Sequence, residues 1–154
     1  MAPRASKQGV AEGARVALRP PLDADRDALA AWLDVDHGDG ERLVIARAGD
    51  DEPIGLLRYV ADAAEGWLRF ESVAVRSELR GLGLESEAER LLEEGSTRGG
   101  GPPRFYATVD HEDGLGIYFW LRLGYRPART GEIPWHGGAW EGMMVMVKEG
   151  TGEQ

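Results

Sequence analysis

The sequence contains no cysteine. Disulfides, thiolate metal sites and a cysteine nucleophile are therefore excluded. Histidine is scarce. His37, His111 and His136 stand far apart and form no HExxH-type pattern, so a zinc centre would need carboxylate help and no metal is expected. No apolar run approaches 18 residues, and the first residues carry no signal-peptide pattern. The expectation is a cytoplasmic protein with no membrane partner. Positive charge is also in deficit, with 18 Lys and Arg against 27 Asp and Glu and a formal net charge of -9. This balance argues against a nucleic-acid footprint or an anionic membrane surface. It is compatible with a cationic amine substrate, but an acidic surface is more often a solubility device.

What is present suits one domain of 154 residues with one core. Residues 1–14 and 149–154 are small, polar and aperiodic and read as tails around a single domain at 15–148. Between them the patterns alternate. Residues 15–19, 42–49, 53–60 and 66–75 have strand character, with GDDEP as a hairpin between the second and third. Leu29, Trp32 and Leu33 share a helical face behind Asp23 or Asp25 as a cap. A second helix carries Leu84, Ala88, Leu91 and Leu92 on one side, with Gly95 as its expected stop. Residues 104–109 read as a strand, and 113–125 as a helix halted by Gly124. YRPART and WEGMMVMVK read as two last strands around the insertion GEIPWHGGA. The order β-α-β-β-β-α-β-α-β-β predicts an α/β (α+β) domain, a mixed and mostly antiparallel sheet flanked by helices.

The most informative stretch is SVAVRSELRGLGLESEAERLLEE, residues 72–94. A strand ends in a turn with Gly81 and Gly83, and a helix follows. Such a turn lets the backbone approach a ligand, and the first helix amides can hold an anion. No GK[ST] follows the glycines, and Ser86 stands where a dinucleotide motif has its third glycine. A Walker loop and a Rossmann site are disfavoured.

Two segments resemble those of the GNAT superfamily of N-acetyltransferases. VAVRSELRGLGLESEAERLL is similar to its acetyl-CoA-binding segment, whose Arg/Gln-x-x-Gly-x-Gly/Ala pattern falls on Arg80, Gly83 and Glu85. DGLGIYFWLRLGYRP resembles the family's Asn-x-x-Ala-x-x-x-Tyr-x-x-x-Gly-Phe stretch, with Asp113, Gly116, Trp120 and Gly124-Tyr125 at those positions. The resemblance covers roughly residues 15–148. It implies a GNAT-like acyl-CoA N-acyltransferase fold and transfer of acetyl from acetyl-CoA by direct attack of an amine on the thioester. Val73, Ala74 and Val75 would pair with the pantetheine arm as an added strand. Amides of Arg80, Gly81, Leu82, Gly83, Leu84, Glu85 and Ser86 would hold the pyrophosphate. Asp113 and Trp120 would lie along the same arm. A homodimer through the last two strands is compatible with the analogy.

Three positions depart from the family. Trp120 replaces a tyrosine that often protonates the departing thiolate, a general-acid contribution of about 10²–10⁴-fold. Tyr118 lies roughly 200° round the helix and is a poor substitute. Asp113 replaces asparagine and caps its helix equally well, but adds negative charge. Glu85 replaces a small residue. Two unit charges about 6 Å apart at an effective dielectric near 20 repel by roughly 3 kcal/mol, whereas a helix N-terminus returns only about 0.3–1 kcal/mol. The direction of Glu85 therefore decides its effect. Candidate bases are Glu71, on the strand before the turn, and His111, just after the strand FYATV. A water relay would need neither. Trp135, His136 and Trp140 are candidates to line an acceptor pocket. The alternatives are a GNAT-fold module that has lost catalysis and serves as a binding or structural part, or an enzyme with a different acyl donor or an O-linked acceptor.

Overall fold

A computed structural model describes residues 11–32, 40–62, 65–129, 131–132 and 142–150. The strands are β1 (Ala11–Glu12), β2 (Val16–Arg19), β3 (Glu41–Arg47), β4 (Pro53–Asp62), β5 (Trp67–Val75), β6 (Arg104–Asp110), β7 (Arg126–Pro127) and β8 (Met143–Glu149). They form one sheet in the order β1-β2-β3-β4-β5-β6-β8-β7. Among the described strands only β5 and β6 run parallel, as a strand–helix–strand crossover requires. The mixed, mostly antiparallel sheet is the one the pattern predicts. The pair Ala11–Glu12, inside the stretch expected as a tail, lies against Ala17 and Leu18 of β2.

Alternation along β3 sorts the two faces. Leu43 and Ile45 enter the main core, while Val44 and Ala46 pack on the opposite face with Leu56 and with Leu29 of α1 (Arg26–Trp32). The main core joins the sheet to α2 (Leu84–Arg98) and α3 (Gly114–Arg122) through Leu84, Ala88, Leu91, Leu92 and Trp120.

Two helix boundaries differ from expectation. Neither Asp23 nor Asp25 stands at the N-cap of the first helical segment. A 3-10 turn, Asp23–Asp25, starts after Leu22, and Asp25 Oδ2 accepts from the Leu22 N–H at 2.7 Å. Asp25 also takes two bonds from Arg19, at 2.7 and 3.0 Å, so it serves β2 as well as the turn. The Arg19 bonds outweigh the burial that opposes charge and hold its carboxyl below the usual range. Gly95 does not stop α2. An interior glycine costs about 1 kcal/mol relative to alanine, less than the burial of Leu91 and Leu92 in the turn before it contributes. The chain leaves the helix at Gly99 and Gly100, with φ of 79° at Gly100, ahead of Pro102 and Pro103.

Beneath α2 lies a polar cluster that the apolar pattern conceals. The Tyr125 hydroxyl sits 2.6 Å from Glu89 Oε2 and 2.7 Å from Glu93 Oε2. Lys148 Nζ donates to Glu93 Oε1 and to the Leu123 carbonyl, both at 2.8 Å. Glu89 is fully buried, and its Oε1 has no partner. A phenol has one proton and can donate to one carboxylate only. The arrangement balances when Lys148 and Glu93 are charged, the phenol is neutral and donates to Glu93, and a protonated Glu89 donates to the phenolic oxygen. Burial, then the neighbouring Glu93, push the Glu89 carboxyl well above the ordinary glutamate range.

This proton is bound in the folded chain and released on unfolding at neutral pH. Its contribution is full below the unfolded glutamate value and is lost as pH rises towards the folded one. Urea unfolding between about pH 6 and pH 9 should show stability falling by up to about 1.4 kcal/mol per pH unit. Glu89→Gln should flatten that slope, whatever its effect on absolute stability. Parallel profiles for the two proteins would show that Glu89 is ionised in the folded state.

Candidate functional site

The ladder between β5 and β6 is short. It runs from Trp67 opposite Arg104 to Phe70 opposite Ala107 and then stops. Both strands continue, to Val75 and Asp110. They part at this fork, and past Phe70 the β6-facing edge of β5 has no strand partner among the described residues. An open strand edge is a template for an extended ligand.

A bulge sits at the fork. On β4, Tyr59 lies opposite Phe70 and Arg58 opposite Ser72, leaving Glu71 as an extra residue on β5. The bulge resets the alternation. Leu68 and Phe70 face the main core before it, and Val73 and Val75 after it. Glu71 consequently does not share the phase of Val73 and Val75. It forms an ion pair with Arg69, two residues earlier.

The fork opens into a cleft of about 380 Å³. Its walls include Glu71, Ser72 and Val73 from β5, and Thr108, Val109 and Asp110 from β6. Helix α3 contributes Gly116, Phe119 and Trp120, with Asp113 at its N-cap, and Glu85 of α2 completes the lining. Asp113 Oδ1 accepts from the Gly116 N–H at 2.9 Å. A Cβ on Gly116 would come within 2.8 Å of the Val109 side chain, so glycine allows α3 to lie close to β6. A larger hollow of about 500 Å³ lies along the C-terminal half of α2, against Arg90, Arg98, Phe105 and Lys148. Among the described residues it offers neither an open strand edge nor free helix amides, and the fork is the better candidate on chemical grounds.

Trp120 is buried as an aromatic wedge. Its ring centroid lies 5.5 Å from that of Phe70 and 4.8 Å from that of Tyr125. Tyr118 points outward and is 58% exposed.

The turn before α2 has the form that an anion cradle needs. Gly81 and Gly83 take left-handed φ values of 81° and 83°, and Leu84 anchors the helix start in the core. The first helical bond goes from the Glu87 N–H to the Gly83 carbonyl at 3.1 Å. The amides of Leu84, Glu85 and Ser86 have no acceptor among the described residues, and no side chain caps them. Arg15 holds the turn from behind. Its guanidinium reaches the Leu82 and Gly83 carbonyls at 2.7 and 3.3 Å and Glu87 Oε1 at 2.8 Å. Burial opposes the charge on Glu87, but bonds from the Arg15 and Val16 amides and from the guanidinium outweigh it and lower its pKa. Arg15 and Glu87 went unnoticed in the sequence because they are 72 positions apart.

Glu71, Val73, Glu85, Asp113 and Trp120 thus come together on the cleft. Ala74 is half-buried, and Val75 is buried in the core. Arg80, Gly81, Leu82 and Gly83 are exposed on the turn, and Ser86 is half-buried in the first turn of α2. His111 is exposed in the turn after β6 and does not line the cleft. Trp135, His136 and Trp140, like His37, lie outside the described residues. Glu85 is half-buried with its side chain on the cleft; burial raises its pKa and the charge of Arg80 partly offsets this. Among the described residues, no cluster of three or more His, Asp or Glu is arranged to hold a metal, and no helix is long and apolar enough to cross a membrane.

No protein-family model and no curated protein sequence matches the chain. Its fold does match solved structures. RimL, a ribosomal L7/L12 alpha-N-protein acetyltransferase in complex with coenzyme A, superposes with a TM-score of 0.72 at 12% identity, over 95% of this chain and all of RimL. A GNAT-family acetyltransferase from Bacillus anthracis gives 0.67 at 15% identity, over 90% and 97% of the two chains. The spermidine/spermine N-acetyltransferase SpeG from Vibrio cholerae, in complex with manganese ions, gives 0.66 at 14% identity, over 88% and 92%. The chain has the GNAT acetyltransferase fold.

Removing the Arg15 side chain should loosen the turn without touching the cleft wall. In Arg15→Ala, exchange of the Glu87 amide, which is bonded to the Gly83 carbonyl of the turn, should quicken about tenfold. Global stability should fall by under about 1 kcal/mol, as for a half-exposed ion pair. Unchanged exchange would show that the glycines hold the turn unaided.

Proposed function

We propose that the protein is an N-acetyltransferase that moves the acetyl group of acetyl-CoA to an amine of a small molecule or peptide. The observation that carries this reading is the fork of β5 and β6, which opens towards a turn whose helix amides are free. An open strand edge and a row of unsatisfied N–H groups are what a pantetheine arm and a pyrophosphate require. The fold supports the reading: RimL acts on protein α-amines and is solved with coenzyme A, and SpeG is a spermidine/spermine acetyltransferase. The backbone fits the donor; the side chain of Glu85 is the one element that opposes it.

Acetyl-CoA, when bound, supplies the acetyl thioester. The chain's own groups do the rest. The β5 edge around Val73, Ala74 and Val75 aligns the donor, and amides between Arg80 and Ser86 hold its phosphates. Glu71 lines the cleft and is the candidate to take the ammonium proton, with Arg69 fixing its direction. His111 is the alternative base, reached through water from the rim. Carboxylates of Glu71, Asp110 and Asp113 give the cleft a negative lining that suits a cationic acceptor. The protein acts without a resident metal, and a homodimer and a cytoplasmic location accompany the reading.

A second reading, a GNAT-fold module without catalysis, draws on Trp120. That side chain is locked among Phe70, Phe119 and Tyr125, and it has no proton of useful acidity to give a thiolate. Thermal unfolding with and without acetyl-CoA separates donor binding from its absence. At about 100 times its Kd the donor should add roughly 2.7 kcal/mol. Thiol release with di- and polyamine acceptors then tests turnover. Glu71→Gln should lower kcat by about 10²–10⁴-fold with donor affinity retained. If His111→Ala alone slows turnover, the base is His111. Donor binding with no turnover on any amine would favour the second reading, and no thermal shift at millimolar acetyl-CoA would sink the first.

A further inference from the structure

Four carboxylates line the cleft: Glu71, Glu85, Asp110 and Asp113. Three are committed. Glu71 is paired with Arg69, Asp110 Oδ1 accepts from the Glu112 N–H at 2.8 Å, and Asp113 caps α3. Glu85 makes no hydrogen bond or ion pair among the described residues, and it stands in the first turn of α2, beside the free amides. The charged groups around it are Arg80 on its own turn, Glu71 on β5, Asp110 on β6 and Asp113 before α3. Three of these four are anions.

We infer that Glu85 makes acyl-CoA binding proton-coupled: the donor is held when Glu85 is neutral and is resisted when it is charged. The inference rests on the acyl-CoA reading of the site. It needs a carboxylate that faces the ligand, has no competing partner and can be neutralised at modest cost. The other three fail the second condition. Burial already favours the neutral form of Glu85, while the charge of Arg80 and the amides of the helix start oppose that trend. An arriving diphosphate adds like charge beside a half-buried group and pushes the same way. Binding then draws a proton from solvent across the pH range between the free and bound values of Glu85. By linkage, affinity falls as pH rises through that range.

The effect differs from a plain electrostatic penalty. A fixed charge would weaken binding by one factor at every pH, and salt would relieve it. A protonating carboxylate weakens binding progressively and leaves a countable proton. It also predicts that the neutral isostere binds better, with the largest advantage at alkaline pH.

The experiment is calorimetric titration of the full chain with dephospho-CoA, which lacks the phosphate monoester that itself titrates near pH 6. Runs in two buffers of different ionisation enthalpy count the protons taken up. The wild type should take up a fraction approaching one proton, and its Kd should rise by up to tenfold per pH unit above the free value of Glu85. Glu85→Gln should take up none, show a flat Kd, and bind more tightly at about pH 8. Equal proton counts in the two proteins, or equal affinities at alkaline pH, would overturn the coupling while leaving the acyl-CoA reading intact. No binding by either protein at any pH would overturn both. The wild-type proton count alone tests the coupling should the variant fold poorly.

Discussion

The parting of β5 and β6 after four residue pairs is the constraint on which the site depends. Two parallel strands covered by a crossover helix ordinarily stay paired. Here the bulge at Glu71 ends the regular pleat of β5, and the aromatic wedge of Phe70 and Trp120 fills the angle where the strands separate. Everything chemical follows from that separation. It exposes a strand edge, gives the cleft its volume, and leaves the first turn of α2 facing a gap instead of a neighbouring strand. A bulge costs a ladder bond or two, and the core recovers the loss by bringing Val73 and Val75 back into phase with Leu68 and Phe70.

The wedge has its own support. Tyr125 meets Trp120 edge to face and is pinned by two carboxylates of α2, one of which is tied to β8 through Lys148. One side of the fork is thus braced by a buried network that holds a proton. On the other side, Arg15, in the bend before β2, braces the glycine turn. Both braces reach α2, so this helix is fixed along its length and its amides stay presented. Such fixing matters because backbone donors select an anion only when they need not reorganise to meet it.

The sequence announced the sheet, the three helices and the glycine turn, because period and breakers are local signals. It also held a signal for the bulge: the apolar positions switch from even to odd numbers between Phe70 and Val73. A strict alternation reading hides that switch behind the polar pair Glu71-Ser72. The Glu89–Glu93–Tyr125–Lys148 cluster was not legible. Its members read as solvated helix charges and a strand lysine, and only tertiary contact 25 to 55 positions away converts them into a core network. Gly95 misled for the opposite reason, since a local breaker was overridden by packing on either side of it. The direction of Glu85 depends on how far the strands open, which no spacing in the sequence encodes.

The same geometry bears on the missing acid. On the proposed acetyltransferase reading, a tyrosine at position 120 would be the acid for a departing thiolate. Trp120 instead extends the wedge and gives up that proton. Tyr125 touches the wedge, but its hydroxyl is committed between Glu89 and Glu93 and cannot be released without costing the buried Glu89 carboxyl and Glu93 Oε2 that partner. Tyr118 faces away. The remaining hydroxyls on the lining belong to Ser72 and Thr108, which are too weakly acidic to donate fully and can only stabilise charge by hydrogen bonding. On the same acetyltransferase reading, a thiolate is stable enough in water to leave unprotonated, so loss of the acid would slow transfer without forbidding it. On that reading Trp120 exchanges an acid for a wedge: its ring packs on Phe70 and Tyr125 where the strands separate, and the proton would have to come from solvent.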